Sequence, residues 1–143
     1  TFSEQQIVIE VDNQSIKDKL IAEAKSWIGT PYKYAHAQKG QGTDCSGFIM
    51  TVVNDVAGIK LPRNSAMQSE FCAEIKRKDL KPCDLVFFAT GKSTYKISHV
   101  GMMIDNDNFI HASSSKGVVI SKLSSNYYTS RLIKCGRIPN LNN

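Results

Sequence analysis

The period of the hydrophobic residues changes once along these 143 residues, close to Pro82, and that change limits the fold more than any other feature. Before it, apolar residues recur at helical spacing. Ile16, Leu20, Ala24, Trp27 and Ile28 share one face of a helix that Ser15 opens, with Asp18 three residues on as in a capping box; Gly29 ends it and Pro31 blocks its continuation. A second helix is predicted from Cys45 to about Ala57, with Phe48, Ile49, Val52, Val53 and Val56 packed inward and Gly58 as its stop. The β-branched run Thr51-Val52-Val53 would suit a strand by propensity, so this helix rests on period and flanking signals. Ser65-Ala66-Met67-Gln68 has the spacing of another capping box and predicts a short helix to about Cys72. Beyond Pro82 the chain turns to short strands, over residues 85–88, 98–104, 109–112, 118–120 and 131–138. Turn signals at Gly91-Lys92-Ser93, Asp105-Asn106-Asp107-Asn108 and Lys116-Gly117 separate them. Helices first and a strand meander after predict an α+β fold, with N-terminal helices packed on an antiparallel sheet of about five strands.

The length suits a single domain with a real core, expected over residues 15–140. Residues 1–14, with the extended piece Ile7-Val8-Ile9-Glu10-Val11, are expected to form an arm or edge strand. The chain opens on Thr1-Phe2-Ser3, as a processed or trimmed product would, and shows no signal peptide; that says nothing of its compartment. No apolar run approaches the roughly 18 residues a membrane span needs.

Charge and cysteine content narrow the partners. The net charge of +5 suits nucleic acid, an anionic membrane surface or an anionic polymer such as a cell wall. The basic residues are dispersed, the short run Lys76-Arg77-Lys78 reads as a solvated turn, and no basic motif interleaved with aromatics is present, so no nucleic-acid partner is expected. The four cysteines form no CxxC pair, which argues against a zinc ribbon or a thioredoxin-like site. Cys72, Cys83 and Cys135 are expected as small buried hydrophobes, with a Cys72–Cys83 bridge open as an alternative.

Cys45 is the candidate nucleophile. It falls in Thr43-Asp44-Cys45-Ser46-Gly47-Phe48, where a Gly-rich loop enters the second helix. The free N–H groups and partial positive charge of a helix start favour a thiolate, and thiols so placed reach pKa values of roughly 3.5–7.5. Such a nucleophile needs a base, and the base needs a polar group to orient it. If the strands on either side of Asp105–Asn108 pair, His99 and His111 stand at one end of the sheet, with His99 against Cys45 and His111 behind it. Two alternatives are structural histidines and a catalytic zinc held by Cys45, His99 and His111, although no HExxH or close Cys/His pair supports a metal. His36 is expected on the rim.

Six segments in order resemble the NlpC/P60 peptidases, papain-like cysteine hydrolases of bacterial cell-wall peptides. They are Gly29-Thr30-Pro31-Tyr32, Asp44-Cys45-Ser46-Gly47-Phe48, Leu61-Pro62-Arg63 with Gln68, Leu80-Lys81-Pro82 into Asp84-Leu85-Val86-Phe87-Phe88, Ser98-His99-Val100-Gly101, and Phe109-Ile110-His111-Ala112-Ser113. The resemblance implies Cys45 as nucleophile, His99 as general base and acid, and His111 as the orienting member. It implies that Tyr32, Asp44, Ser46 and Ser98 line the substrate groove, although Asp44 and Ser46 also look like helix-capping residues and Tyr32 like a packed loop aromatic. No metal or organic cofactor is implied. The implied substrate is a peptidoglycan stem peptide cut between D-isoglutamate and the diamino acid, by a monomer in the cell envelope, whether periplasmic, lipid-anchored after processing, or secreted. An amidase or acyltransferase using the same residues, and a non-catalytic wall-binding module, are the alternatives. The chain departs from the family pattern at Ala35-His36, where glycines are common, at Cys83, where a turn glycine is usual, and at Met103, where an aromatic is common.

Overall fold

The computed structural model describes residues 16–141. The expected arm over residues 1–14, and the Ser15 cap, lie outside the described residues.

Three helices precede the sheet strands, as the period predicts. The first, α1, is described over residues 16–25 and is followed by turns to Gly29, whose φ of 93° only glycine adopts readily. Leu20, Ala24 and Trp27 are buried from it, and the Trp27 ring packs on Phe48 with centroids 5.3 Å apart. Ile28 was expected on that face but is half exposed, because the helix ends at residue 25 and the turns carry Ile28 off the helical period. Helix α2 spans Cys45–Ala57 and buries Phe48, Ile49, Val52 and Val53; Gly58 stops it at φ 69°, its N–H bonding to Asn54 O. Here period outranked the β propensity of Thr51-Val52-Val53. Helix α3, Ser65–Phe71, is capped one residue earlier than expected: the Asn64 side chain accepts from the Met67 N–H. The Ser65–Gln68 capping box therefore does not form. Gln68 turns into the interior instead, where its Nε2 donates to Ser46 O (3.1 Å) and Pro62 O (2.9 Å).

The loop between α1 and α2 contains a two-residue hairpin, β1 (Ala37–Gln38) with β2 (Gly42–Thr43), that the sequence did not signal. The main sheet has six strands: β3 (Ala73–Ile75), β4 (Leu85–Phe88), β5 (His99–Met103), β6 (Asn108–Ser113), β7 (Gly117–Lys122) and β8 (Leu132–Arg137). Their order is β3-β8-β4-β5-β6-β7, and every pairing is antiparallel. Five coincide with the expected meander. The sixth, β3, is three residues long and mostly exposed, too short for alternation to mark it. A four-residue helix, α4 (Asn126–Thr129), was also not anticipated. The Lys76–Lys78 run enters an exposed 3-10 turn, as expected of a solvated segment.

The sheet buries apolar residues on both faces. On one, Leu85, Phe87, Val100, Met102, Ile110, Ala112 and Val118 pack with Leu20, Ala24 and Trp27 of the first helical segment and Phe48, Ile49, Val52 and Val53 of α2. On the other, Val86, Phe88, Met103, Phe109, Leu123 and Cys135 form a smaller cluster under Tyr128. The four cysteines are all buried and free, so the Cys72–Cys83 bridge is not formed. Cys83 holds a φ of 75°, so the turn keeps the left-handed conformation a glycine would have supplied, at a cost of about 1–2 kcal/mol. Asp84 secures that turn by accepting from Lys81 N–H (2.8 Å) and by a two-point contact with Arg137 (2.8 and 2.9 Å).

Gly117, at the start of β7, joins the sheet to the loop that carries Tyr32. Val118 N–H donates to Thr30 O (2.9 Å), and Gly29 N–H to Val118 O (3.1 Å). With φ 76°, a Cβ at residue 117 would sit 2.3 Å from Thr30 O. Gly117→Ala is expected to lower stability by at least about 2 kcal/mol, from backbone strain plus that overlap. Urea unfolding measures it, and an unchanged midpoint would show that the loop moves freely.

Candidate active site

Cys45 is the first residue of α2, as the sequence predicts, and Asp44 is its N-cap. The Asp44 carboxylate is used on every side. Its Oδ1 accepts from the Gly47 N–H (2.7 Å) and from Arg63 Nη1 (3.1 Å); its Oδ2 accepts from the Ala35 N–H (3.0 Å) and from Arg63 Nη2 (2.8 Å). Arg63 Nη1 also donates to Ser46 Oγ (2.9 Å). The capping role of Asp44 is thus real. Its four lone-pair directions are already filled, so the charge facing the adjacent cavity is the guanidinium of Arg63.

The two histidines meet as the strand pairing requires. Met102 pairs with Ile110 and Met103 with Phe109 around the Asp105–Asn108 turn. His99 Nε2 and His111 Nδ1 are 2.8 Å apart, and His111 Nε2 lies 2.8 Å from Ser121 Oγ on β7. The glycine of the Ser98–Gly101 segment is needed for this approach: a Cβ at Gly101 would lie 2.6 Å from the Phe109 ring and 3.2 Å from His111 Cβ. The His99 ring packs on Phe88, and that of His111 on Phe109 and Tyr128.

Cys45 and His99 line one cavity of about 460 Å³, with Tyr32, Ser98, Ser121 and Tyr128. A second cavity of about 340 Å³ lies on the other side of Cys45 and Ser98, lined by Tyr34, Asp44, Ser46 and Arg63. Tyr32 borders both, so the thiol lies where two cavities meet. The Ser98 hydroxyl accepts from the Thr90 (2.9 Å) and Gly91 (3.2 Å) N–H groups, and so folds the loop before β5. The Ser98 carbonyl accepts the Cys45 S–H at 3.9 Å. His36 is exposed, as expected for a rim residue.

Protonation departs from the expectation at Cys45. Burial pushes the thiol's pKa above its ordinary value, although the amides of Val100, Ser46 and Cys45 itself pull it down; Asp44 adds to the rise. The sizes of the effects explain the outcome. A charge at a helix terminus gains about 0.3–1 kcal/mol, less than the 1.36 kcal/mol of one pKa unit, while burial shifts pKa by up to about 3–5 units. Burial likewise lowers His99 to about 4, and burial followed by the His99 charge lowers His111 to about 3. At neutral pH Cys45 rests as a thiol and His99 and His111 as neutral imidazoles. The Tyr32 phenol is also raised, by burial first and then by Cys45 and Asp44. Among the described residues, no group of three or more His, Cys, Asp or Glu side chains is disposed to hold a metal ion, so the zinc arrangement finds no support.

Sequence reasoning missed three contributors. Arg63 was visible only as part of the Leu61-Pro62-Arg63 segment. Ser121 and Tyr128 gave no signal, because nothing in the sequence tells that β7 and α4 fold over His111.

A papain-like α+β architecture with a cysteine–histidine site at the junction of helix and sheet is the class this fold and geometry define. The chain belongs to the NlpC/P60 family, whose model matches residues 29–137. It is 34% identical over 128 residues to the murein DD-endopeptidase MepS/murein LD-carboxypeptidase of Escherichia coli K12, covering 90% of this chain and 66% of that protein. It is 35% identical over 135 residues to the gamma-DL-glutamyl hydrolase of Bacillus subtilis 168, covering 93% of this chain and 32% of that protein. An NlpC/P60 family protein from Bacillus cereus shares the fold with a TM-score of 0.78 at 33% identity, over 85% of this chain and 39% of its own. The chain thus spans less than two thirds of the length of each of these proteins. No helix among the described residues is long and apolar enough to cross a membrane.

The histidine pair makes stability depend on pH in a defined direction. Both folded pKa values lie below the unfolded value of about 6.5, so the unfolded chain takes up protons first. Their contribution is fully present above about pH 6.5 and is lost as pH falls from there through about 4 for His99 and about 3 for His111. The urea midpoint is expected to drop clearly between pH 7 and pH 4.5; an equal midpoint at both would contradict neutral buried imidazoles.

Proposed function

We propose that this chain is a cysteine endopeptidase that hydrolyses peptidoglycan stem peptides. One observation carries the proposal: a thiol at a helix start opens into the same cavity as an imidazole whose far nitrogen is held by a second, buried imidazole. Cys45 is the nucleophile, His99 the general base and acid, and His111 the orienting member.

With Nε2 of His99 engaged by His111, Nδ1 is the nitrogen left for the thiol. Because the resting pair is neutral, the proton passes from Cys45 Sγ to His99 Nδ1 as sulfur attacks the carbonyl carbon, rather than beforehand. The amide N–H groups of Cys45 and Ser46, which face the sulfur at the helix start, are donors for the oxyanion. The tetrahedral intermediate collapses with breakage of the C–N bond. His99 gives its proton to the departing amine, and a thioester remains. Water then attacks this thioester, passing its proton to His99, and the thiol is released. Tyr32, Asp44, Ser46 and Ser98 form the walls of the groove on either side of the sulfur, Asp44 acting through Arg63 rather than as a free carboxylate.

The bond we favour joins D-isoglutamate to the diamino acid, diaminopimelate or lysine. The family resemblance and the gamma-DL-glutamyl specificity in the name of the B. subtilis relative support it. The E. coli relative is named for DD-endopeptidase and LD-carboxypeptidase activities, and cleavage at the D-amino-acid bonds is the second reading. We place the catalytic domain at residues 15–140, working as a monomer in the cell envelope, where its net positive charge suits an anionic wall.

Digestion of defined tripeptide and tetrapeptide stems tests the bond by product mass. The expected products separate at D-isoglutamate, and Cys45→Ala is expected to yield none; intact stems with the parent chain, or full activity in Cys45→Ala, would overturn the proposal. The pH profile tests the mechanism. Since kcat/KM reports groups of the free enzyme, its acid limb is expected near pH 4, where His99 loses its neutral form, and not near pH 6.5.

A further inference from the structure

The hydrogen-bonded chain does not end at His111. Beyond it stands Ser121, whose Oγ is 2.8 Å from His111 Nε2. A neutral imidazole has one N–H and one lone pair, so a row of two imidazoles and a hydroxyl has only two self-consistent arrangements. In the first, His99 and His111 each carry their proton on Nε2 and donate outward, Ser121 accepts, and His99 Nδ1 presents a lone pair. In the second, Ser121 donates to His111 Nε2, His111 Nδ1–H donates to His99 Nε2, and the proton of His99 is forced onto Nδ1. A protonated Nδ1 has no room for a proton from a thiol, so the second arrangement is inert.

The direction taken by one hydroxyl proton therefore selects between an active and an inert row. Only the first leaves His99 Nδ1 able to take the thiol's proton, so catalysis by Cys45 and His99 requires Ser121 to accept from His111 Nε2–H. Tyr128 and Phe109 clasp the His111 ring, with centroids 5.2 and 4.6 Å away, which opposes a ring flip that would exchange the nitrogens.

We propose that Ser121, accepting from His111 Nε2, is a positioning residue that fixes the tautomer of His111 and through it that of His99, so that His99 Nδ1 faces the thiol unprotonated. The proposal rests on Cys45, His99 and His111 acting as described above, and it extends that set by a residue on the edge strand β7.

The test is histidine 15N NMR on the folded chain, paired with steady-state kinetics, for the parent, Ser121→Ala and Ser121→Thr. In the parent, Nε2 of both histidines is expected to be protonated and both Nδ1 atoms unprotonated. In Ser121→Ala, His111 is expected to show mixed tautomers and kcat to fall about tenfold with KM unchanged, the loss expected when one orienting hydrogen bond is removed. Ser121→Thr is expected to restore both. Unchanged tautomer signals in Ser121→Ala, or a Ser121→Ala kcat within about twofold of the parent, would overturn the proposal. Should Ser121→Ala not fold, the parent spectrum decides: a protonated His99 Nδ1 would overturn the proposal. The NMR arm needs no substrate, so an error in the assigned bond, visible as the wrong digestion products, stays distinguishable from an error here.

Discussion

One carboxylate organises the end of the molecule that carries Cys45. Asp44 caps the helix that carries the thiol, holds the Ala35 amide of the preceding loop, and ties down Arg63 from the connector after α2. Three segments that share no secondary structure thereby converge within a residue of Cys45. A cap alone is worth about 1 kcal/mol. Removing this one would also leave a guanidinium and two backbone amides without their acceptor, with a penalty of about 1–3 kcal/mol for each group that stays buried. The loop accepts a strained residue to make the contact, since Ala35, whose amide reaches Asp44, sits at φ 61°. Here, as at Cys83, a non-glycine residue occupies a left-handed position where the family commonly has glycine, and in each case neighbouring contacts hold the conformation in place.

Burial then decides the chemistry that this scaffold permits. The helix start alone favours a thiolate, yet burial disfavours charge on the Cys45 sulfur and on both imidazoles. At rest these three groups are neutral, and in the mechanism we propose charge develops only as the bond forms, when the amides at the helix start can act on it. A neutral row of imidazoles is also one whose polarity must be chosen, because no fixed charge orients it. A carboxylate in the place of His111 would dictate the tautomer of His99 outright; a histidine passes the question on to Ser121.

The fold was legible where a feature repeats and obscure where it does not. Leu20, Ala24 and Trp27 announced one helix and Phe48, Ile49, Val52 and Val53 another, because each face is seen several times. Ile28 misled because a helix end is a single event, set by the turns before Gly29 rather than by period. The cap of α3 was misplaced by one residue, since Asn64 and Ser65 are both good caps and only the position of Gln68 in the core separates them. Strand β3 and the hairpin of β1 and β2 have too few residues to show any period. Cys45, His99 and His111 stood out because their chemistry is rare in the chain. Ser121 did not, because it is one serine among many.

That asymmetry follows from how the site is built. Reactive groups are scarce residue types, so composition and order alone bring them forward. The groups that orient them are common types whose meaning is purely spatial: a serine on an edge strand, a tyrosine on a one-turn helix, an arginine in a connector. Their partners are set by sheet order, and β7 is beside β6 only because the chain returns at Gly117, where a side chain would strike Thr30 O. The same return fastens the loop bearing Tyr32 to the strand bearing Ser121. The proposed groove wall and proton row are thus joined through one turn, and under these proposals a change that loosens the β6–β7 hairpin acts on substrate fit and on histidine tautomer together.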